Sequence, residues 1–304
     1  MTVPYLARLV CLSMAAFFLA HLVLSAIVCA LAGRAIERAG RMRPRDGARL
    51  LLWLRLAPAA IAGTLVLGVC APSYFWLEPE AEAEHLGIIC LGAAALGVVA
   101  CGLGIARAAR AAVRSSRYLR NCERAIDTNA PVLMLAGVFH SRLVVSRGVR
   151  RALTFDQLAV AMRHECAHRA SRDNLKRLLI IMTPDVIPFV RGLGRLEHAW
   201  SRLAEWAADD RAVGGNRRRS LSLAAALVRV ARMGTVPAVP LVTSLLGDGG
   251  DLSERVERLL AGAAPHGTRT RSWPAIAVTL AIAALAVQPA TFVTAHRVLE
   301  ILAH

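Results

Sequence analysis

Long apolar runs dominate the hydrophobic pattern of the chain. Residues 9–32, 50–71 and 86–106 form three such runs, and residues 276–293 form a shorter fourth one. About 20 apolar residues in a helix are needed to cross the hydrocarbon core of a bilayer. The first run is longer than the apolar part of a signal peptide and only Arg8 precedes it, so it predicts a retained span. The pattern predicts an integral membrane protein with four transmembrane helices.

Charges beside the runs predict the orientation in the membrane. Residues 33–49 are rich in arginine, whereas the loop between the second and third runs is acidic, with Glu78, Glu80, Glu82 and Glu84. A second arginine series follows the third run, at Arg107, Arg110, Arg114, Arg117 and Arg120. Because basic loops stay in the cytoplasm, the N-terminus is expected outside and the region after the third run inside.

The region between the third and fourth runs is long enough for one compact domain. Short apolar runs at 132–135 and 143–145, separated by Gly137 and Ser141, predict a β-hairpin. The pattern then becomes helical at 221–233 and 252–260. The predicted fold is a mainly α membrane protein with a small cytoplasmic α+β domain. Its predicted parts are a three-helix transmembrane region at 1–114, the cytoplasmic domain at 115–266, and a fourth span with a short tail at 267–304.

The second strand of this hairpin is a candidate for substrate binding. It contains Leu143, Val144 and Val145. An exposed strand edge can pair with an extended peptide through its backbone. We therefore predict that this strand presents a peptide bond to the site described next.

Two histidines one helical turn apart carry the most specific chemistry in the chain. His164 and His168 enclose Glu165, and a capping box at Thr154 and Gln157 predicts the start of their helix. At this spacing both imidazoles lie on one face and can bind one Zn²⁺ ion, while Glu165 can act as general base. The pattern predicts a hydrolytic zinc site.

A catalytic zinc usually has three protein ligands, so one more is expected from another element. Glu205 and Asp209 lie four residues apart in a predicted helix. Glu205 would be the third ligand. Asp209 would lie behind it and accept the free N–H of a ligating histidine.

The formal net charge of +16 has two readings. In a soluble domain it would suggest nucleic-acid binding. Here much of the charge flanks membrane spans, where it orients the protein and meets anionic lipid headgroups. We therefore expect the lipid bilayer as a partner and no direct binding of nucleic acid.

The apolar segment 178–190 complicates the topology. It is short, and Pro184, Asp185 and Pro188 interrupt it. If it crossed the bilayer, His164 and Glu205 would lie on opposite sides. The predicted ligand set therefore argues against a crossing, although the segment could enter the bilayer without spanning it.

The order of spans and motifs resembles the BlaR/MecR-type membrane metallopeptidases. The resemblance covers residues 9–293 in layout and is specific at residues 164–168, followed by Asp173, and at residues 205–209. It implies a gluzincin in which His164, His168 and Glu205 hold zinc and Glu165 is the base. It also implies a cytosolic DNA-binding repressor as the protein substrate. We expect Asp173, like Asp209, to lie behind the ligands.

The same motifs also resemble the HtpX and CAAX-protease branch, so a role in protein quality control or processing stays open. Family members that sense antibiotics carry an extracellular penicillin-binding domain after the last span, and residues 294–304 contain none. We therefore expect any sensing to come from the spans, the acidic loop or a partner. A catalytically inactive membrane scaffold is the alternative from another class. His140 and His198 are candidates to stabilise an oxyanion.

Overall fold

The computed structural model describes residues 5–77, 86–125, 132–138, 141–186, 192–234, 242–244 and 252–262, together with 293, 294 and 297. Apart from Val293, the predicted fourth span lies outside these residues, as do the acidic loop, His140 and Pro188. Three helical segments are long and apolar enough to cross a membrane: Tyr5–Gly40, Pro44–Trp76 and Ile88–Tyr118. The prediction of three amino-terminal spans is confirmed by length and composition.

The spans extend beyond their apolar runs. Their helices are α1 (Tyr5–Gly40), α2 (Pro44–Leu65), α3 (Ala71–Leu77) and α4 (Ile88–Ala125), with a π-helical turn at Val66–Cys70 between α2 and α3. The basic stretch 33–49, expected as a loop, is mostly helical, because α1 continues through it and Pro44 starts the next helix. α4 also continues past the domain boundary predicted at residue 115.

Six helices and three short strands form the rest of the described chain. They are β1 (Leu133–Ala136), β2 (Arg142–Val145), α5 (Arg147–Ala152), α6 (Phe155–Ser171), α7 (Asp173–Met182), α8 (Gly192–Val213), α9 (Arg217–Arg232), β3 (Val242–Ser244) and α10 (Leu252–Ala261). The strands form an antiparallel sheet in the order β2-β1-β3. The predicted hairpin is confirmed, while β3 was not predicted.

One hydrophobic core joins the hairpin to the helix that carries the two histidines. Leu133 of β1 packs with Val160 and Ala161 of α6. Helices α9 and α10 close this core from the other side, with Leu223, Leu227, Val230 and Leu259. The helix of the predicted metal ligands is therefore held between a sheet and a helical pair.

Helix α8 packs directly on the membrane-spanning helices. Ala32, Ala39, Ala48 and Leu51 of α1 and α2 share a buried cluster with Leu193, Leu196, Trp200 and Leu203 of α8. Gly47 is needed in this contact, because a Cβ atom there would lie 2.6 Å from the carbonyl oxygen of Ala39 and 3.0 Å from Leu203. The regions predicted as separate domains therefore share a hydrophobic core.

The described part of segment 178–190 ends among the three spans. α7 stops at Met182, and Thr183 is extended, as expected for a residue before proline. His21 of α1 is hydrogen-bonded to the carbonyl oxygen of Pro184, and Arg55 of α2 donates to Asp185. From α4, Arg107 donates to the carbonyl oxygen of Thr183. Each of the three spans thus contacts the turn that follows α7.

Candidate metal centre

Helix α6 begins and ends at well-defined caps. The N–H of Thr154 donates to the side chain of Gln157, and the N–H of Gln157 donates to the hydroxyl of Thr154, which forms the predicted capping box. At the other end Arg172 adopts the left-handed conformation, with φ of 54°, and α7 starts immediately. This sharp junction brings Asp173 back towards His168.

The structure brings His164, His168 and Glu205 together. Their ligand atoms all lie within 4.8 Å of one another, and all three residues are buried. The two Nε2 atoms are 3.1 Å apart, and the oxygens of Glu205 lie 3.4 Å and 3.5 Å from them. Ligands about 2.0–2.1 Å from a tetrahedral zinc ion are separated by about 3.4 Å. The spacing therefore fits one tetrahedral ion with a fourth position left over.

The environment of Glu205 is a second test of whether these residues fit a metal ion. It is only 5% exposed, yet among the described residues neither of its oxygens accepts a hydrogen bond. A buried carboxylate without hydrogen bonds is costly unless cations compensate it. The guanidinium of Arg255 lies 3.2 Å from one oxygen of Glu205, and a bound metal ion would coordinate the carboxylate directly. Two imidazole nitrogens and one carboxylate are also the donor types that zinc accepts. The residues present therefore fit a metal ion.

Each histidine has its own carboxylate on the far side of the ring. The Nδ1 atom of His168 lies 2.8 Å from Asp173, and the Nδ1 atom of His164 lies 2.8 Å from Asp209. These carboxylates hold the proton at Nδ1 and leave each Nε2 free to face a metal. Asp173 is itself held by Lys176, at 2.7 Å. Asp173 and Asp209 thus each lie behind one histidine of the pair.

The same carboxylates favour protonated imidazoles in the protein without metal. Burial alone lowers the pKa of His168, but the charge of Glu205 and the contact with Asp173 outweigh it and raise that pKa to about 10. The pKa of His164 is also raised, because Asp209 outweighs the effect of burial. Burial raises the pKa of Glu205, yet His168 and Arg255 hold it well below its usual value. The pocket therefore stabilises positive charge among its ligands.

Glu165 lies next to His164 on α6 and is completely buried. Burial raises its pKa to about 7, although the neighbouring histidines pull in the opposite direction. A carboxyl group with a pKa near 7 can both accept and donate a proton at neutral pH. This property matches the general-base role predicted for Glu165.

Two arginines near the proposed ligands were not predicted from the sequence. Arg255 of α10 is buried and contacts both Asp209 and Glu205. Arg177 of α7 is partly exposed, and its guanidinium lies 3.6 Å from Glu205. The burial of Arg255 could have been inferred from its spacing. It precedes Leu259 by four residues and therefore lies on the apolar face of a short amphipathic helix.

The other predicted residues lie further from the ligands. Leu143 and Val145 of β2 point into the core shared with α6, and Val144 packs on the opposite face of the sheet, with Met134. These side chains are occupied by packing, so the part of β2 left for a substrate is its backbone edge. His198 is exposed on α8, outside the ligand group.

The register shows where the backbone of β2 points. The N–H of Ser146 donates to the carbonyl oxygen of Val132. In an antiparallel pair every second residue bonds to the neighbouring strand, so the N–H of Val144 points towards Met134 of β1. The N–H groups of Leu143 and Val145 then face the open edge. At the other edge of the described sheet, β3 lies against both α6 and α7.

Neither a family model, nor a curated protein, nor a solved structure matches the chain.

Proposed function

We propose that this protein is an integral membrane zinc endopeptidase that cleaves a cytosolic protein. The observation that carries the proposal is the convergence of His164, His168 and Glu205 at tetrahedral spacing, with the buried carboxyl of Glu165 on the same helix. Two imidazoles and a carboxylate leave one coordination position for water, as catalytic zinc sites do and structural ones do not.

Zinc held by these ligands would supply a Lewis acid and bring the pKa of a coordinated water close to neutrality. The residues of the chain have separate tasks. Glu165 would accept a proton from the water that adds to the peptide carbonyl and would pass it to the nitrogen that leaves as the C–N bond breaks. Asp173 and Asp209 keep the proton of each ring at Nδ1, so that both Nε2 atoms stay turned to one point.

The burial of the candidate metal centre also supports peptide hydrolysis. His164, Glu165 and Asp209 are fully buried, so the charges act in a medium of low dielectric. An exposed acid in this position would keep an ordinary pKa and would be a weaker base at neutral pH. A membrane scaffold without activity would need neither the metal ligands nor a buried glutamate beside them.

The proposal separates metal binding from proton transfer, and variants of the full chain test both. Glu165→Gln should keep zinc and lose peptidase activity, by about 100-fold or more. His168→Ala should lose both. Glu257→Gln, which alters an exposed glutamate on α10, is the matched control and should change neither. Full activity in Glu165→Gln would overturn the mechanism, and a wild-type protein that binds no zinc would favour the scaffold.

We further propose that the substrate is a cytosolic DNA-binding repressor and that cleavage transmits a signal. The support is the resemblance carried by residues 164–168, 173 and 205–209, together with the arginine-rich ends of α1 and α4, which predict a cytoplasmic face. A comparison of cellular proteomes containing the active enzyme or Glu165→Gln tests the substrate class. One stabilised transcriptional regulator supports signalling. Many stabilised membrane proteins, with no regulator among them, would instead indicate quality control.

A further inference from the structure

Arg255 is an arginine buried within the candidate metal centre, and it comes from an element that carries none of the ligands. It is 2% exposed. Its Nε and Nη2 atoms donate to the two oxygens of Asp209, at 2.9 Å and 2.8 Å. Its Nη1 atom lies 3.2 Å from Glu205. One guanidinium therefore contacts both a metal ligand and the carboxylate behind another ligand.

The contact with Asp209 fixes the plane of that carboxylate. Oδ1 of Asp209 lies 2.8 Å from Nη2 of Arg255 and also 2.8 Å from Nδ1 of His164. Because guanidinium presents its donors as a rigid planar fork, a two-point contact allows the carboxylate little rotation. The orientation of His164 therefore depends on Arg255 through Asp209.

Arg255 also compensates charge. Glu205 and Asp209 lie four residues apart on one face of α8, and both are buried, so their carboxylates would repel each other in a medium of low dielectric. The guanidinium lies 2.8 Å from Asp209 and 3.2 Å from Glu205, so one positive charge offsets the repulsion between the two carboxylates.

Helix α10 is held firmly enough to position this guanidinium. Leu259, one turn after Arg255, is buried in the core that also contains α6 and α9, and Val256 packs against it. The carbonyl oxygen of Leu259 accepts a hydrogen bond from the hydroxyl of Ser220 at 2.6 Å. Arg255 is thus attached to the same core as the helix of the two histidines.

We propose that Arg255 is a positioning residue for the metal centre, which orients Asp209 and Glu205 so that His164 and Glu205 meet the ion in the right geometry. The inference rests on the proposed function only for the identity of the three ligands. It makes α10 a part of the metal centre. It also means that α6 and α8 alone would hold the ion weakly.

Metal affinity tests this directly, because it is measured without substrate. Arg255→Met keeps the length of the side chain and removes the fork and the charge. Zinc affinity, measured by competition with a chelator, should fall about 10- to 100-fold, as for other residues that orient metal ligands. The absorption spectrum of bound Co²⁺ should change as well. Arg255→Lys keeps the charge but loses the two-point contact, so the zinc affinity of this variant should lie between those of the wild-type chain and Arg255→Met.

Arg258→Met is the matched control. Arg258 lies on the next turn of α10, pairs with Asp210 and stacks on Trp206, but it contacts none of the proposed ligands. Its loss should leave zinc affinity and the Co²⁺ spectrum unchanged. A similar fall in both methionine variants would mean that α10 acts through general stability, and would overturn the proposal.

The path through Asp209 is tested by a double-variant cycle. In an Asp209→Asn background, Arg255→Met should cost clearly less affinity than in the wild-type chain, because the residue it orients has already changed. Equal losses in both backgrounds would overturn the positioning role. If Arg255→Met does not fold, Arg255→Lys decides, and wild-type affinity in that variant would overturn the inference. A wild-type chain that binds no metal would contradict the proposed function itself.

Discussion

Arg55 of α2 donates a hydrogen bond to Asp185 over 2.8 Å, and this contact joins a membrane-spanning helix to the turn after α7. Arg55 is 3% exposed, and its Nε and Nη1 atoms have no hydrogen-bond partner among the described residues. Arg107 of α4 lies 3.4 Å from the other oxygen of the same carboxylate. Asp185 is therefore the carboxylate that hydrogen-bonds to this buried cation, and the charge of Glu197 acts on Arg55 as well.

We predict an asymmetric response when this pair is broken. Asp185→Asn removes the carboxylate that hydrogen-bonds to Arg55, leaves only the charge of Glu197 near the buried guanidinium, and should cost about 1–3 kcal/mol of stability. Arg55→Met removes the buried cation and should cost less. Arg107→Met is the control, because Arg107 is more exposed, and its loss should cost less than about 1 kcal/mol. Thermal unfolding in detergent measures all three. A larger loss for Arg55→Met than for Asp185→Asn would contradict this account.

Gly104 provides a second test of the contact between α7 and the spans. A Cβ atom at Gly104 would lie 2.2 Å from the carbonyl oxygen of Met182, so α4 and the end of α7 meet at this residue. Gly104→Ala should destabilise the protein by about 1–3 kcal/mol through overpacking. Gly102→Ala, on the same helix with nothing within 4 Å, should be neutral or gain up to about 1 kcal/mol in helix propensity. Equal effects of the two alanines on unfolding would show that the close approach does not exist.

The predicted orientation depends on charges alone and can be tested apart from catalysis. Reporter fusions after Arg43, between α1 and α2, and after Arg120, near the end of α4, should both report the cytoplasm. A fusion at Glu82 should report the exterior. An exterior signal after Arg120 would place His164 and Glu205 outside the cell. The proposed cytosolic substrate would then be ruled out.

Local periodicity predicted the helices and the residues that meet at the candidate metal centre. His164 and His168 could be paired from sequence because residues four apart lie on one face of a helix, and Thr154 marks the start of that helix. Glu205 and Asp209 could be paired by the same reasoning. In each case the information lies within one helix.

Contacts between distant elements could not be predicted in this way. Arg255 reaches Asp209 across 46 residues of sequence, and no local pattern specifies that distance. The packing of α8 on α1 and α2 was missed for a related reason. Alanine and leucine on a membrane-spanning helix do not reveal whether they face lipid or protein. Strand β3 is only three residues long, too short for its alternation to be recognised.

The last prediction concerns the strand that holds the substrate. The sequence pattern predicts β2 for this role, and β3 forms the other edge of the described sheet. β3 contacts α6 and α7, the helices of His168 and Asp173, whereas β2 is attached mainly through β1. A peptide paired with β3 would run closer to the ligands, so we expect the substrate to bind there.

Proline variants separate the two edges, because proline removes one backbone N–H and leaves the metal ligands unchanged. Leu135 and Thr243 form a hydrogen-bonded pair between β1 and β3, so the N–H of the next residue, Ser244, points away from the sheet. In β2 the N–H of Val145 points outward for the same reason. Ser244→Pro should therefore lower the cleavage rate at least 10-fold with zinc content unchanged, while Val145→Pro should have a small effect. Val144→Pro serves as the folding control, since its N–H points into the hairpin and its loss should lower stability. Loss of cleavage in Val145→Pro alone, with the protein folded and zinc bound, would return the substrate to β2.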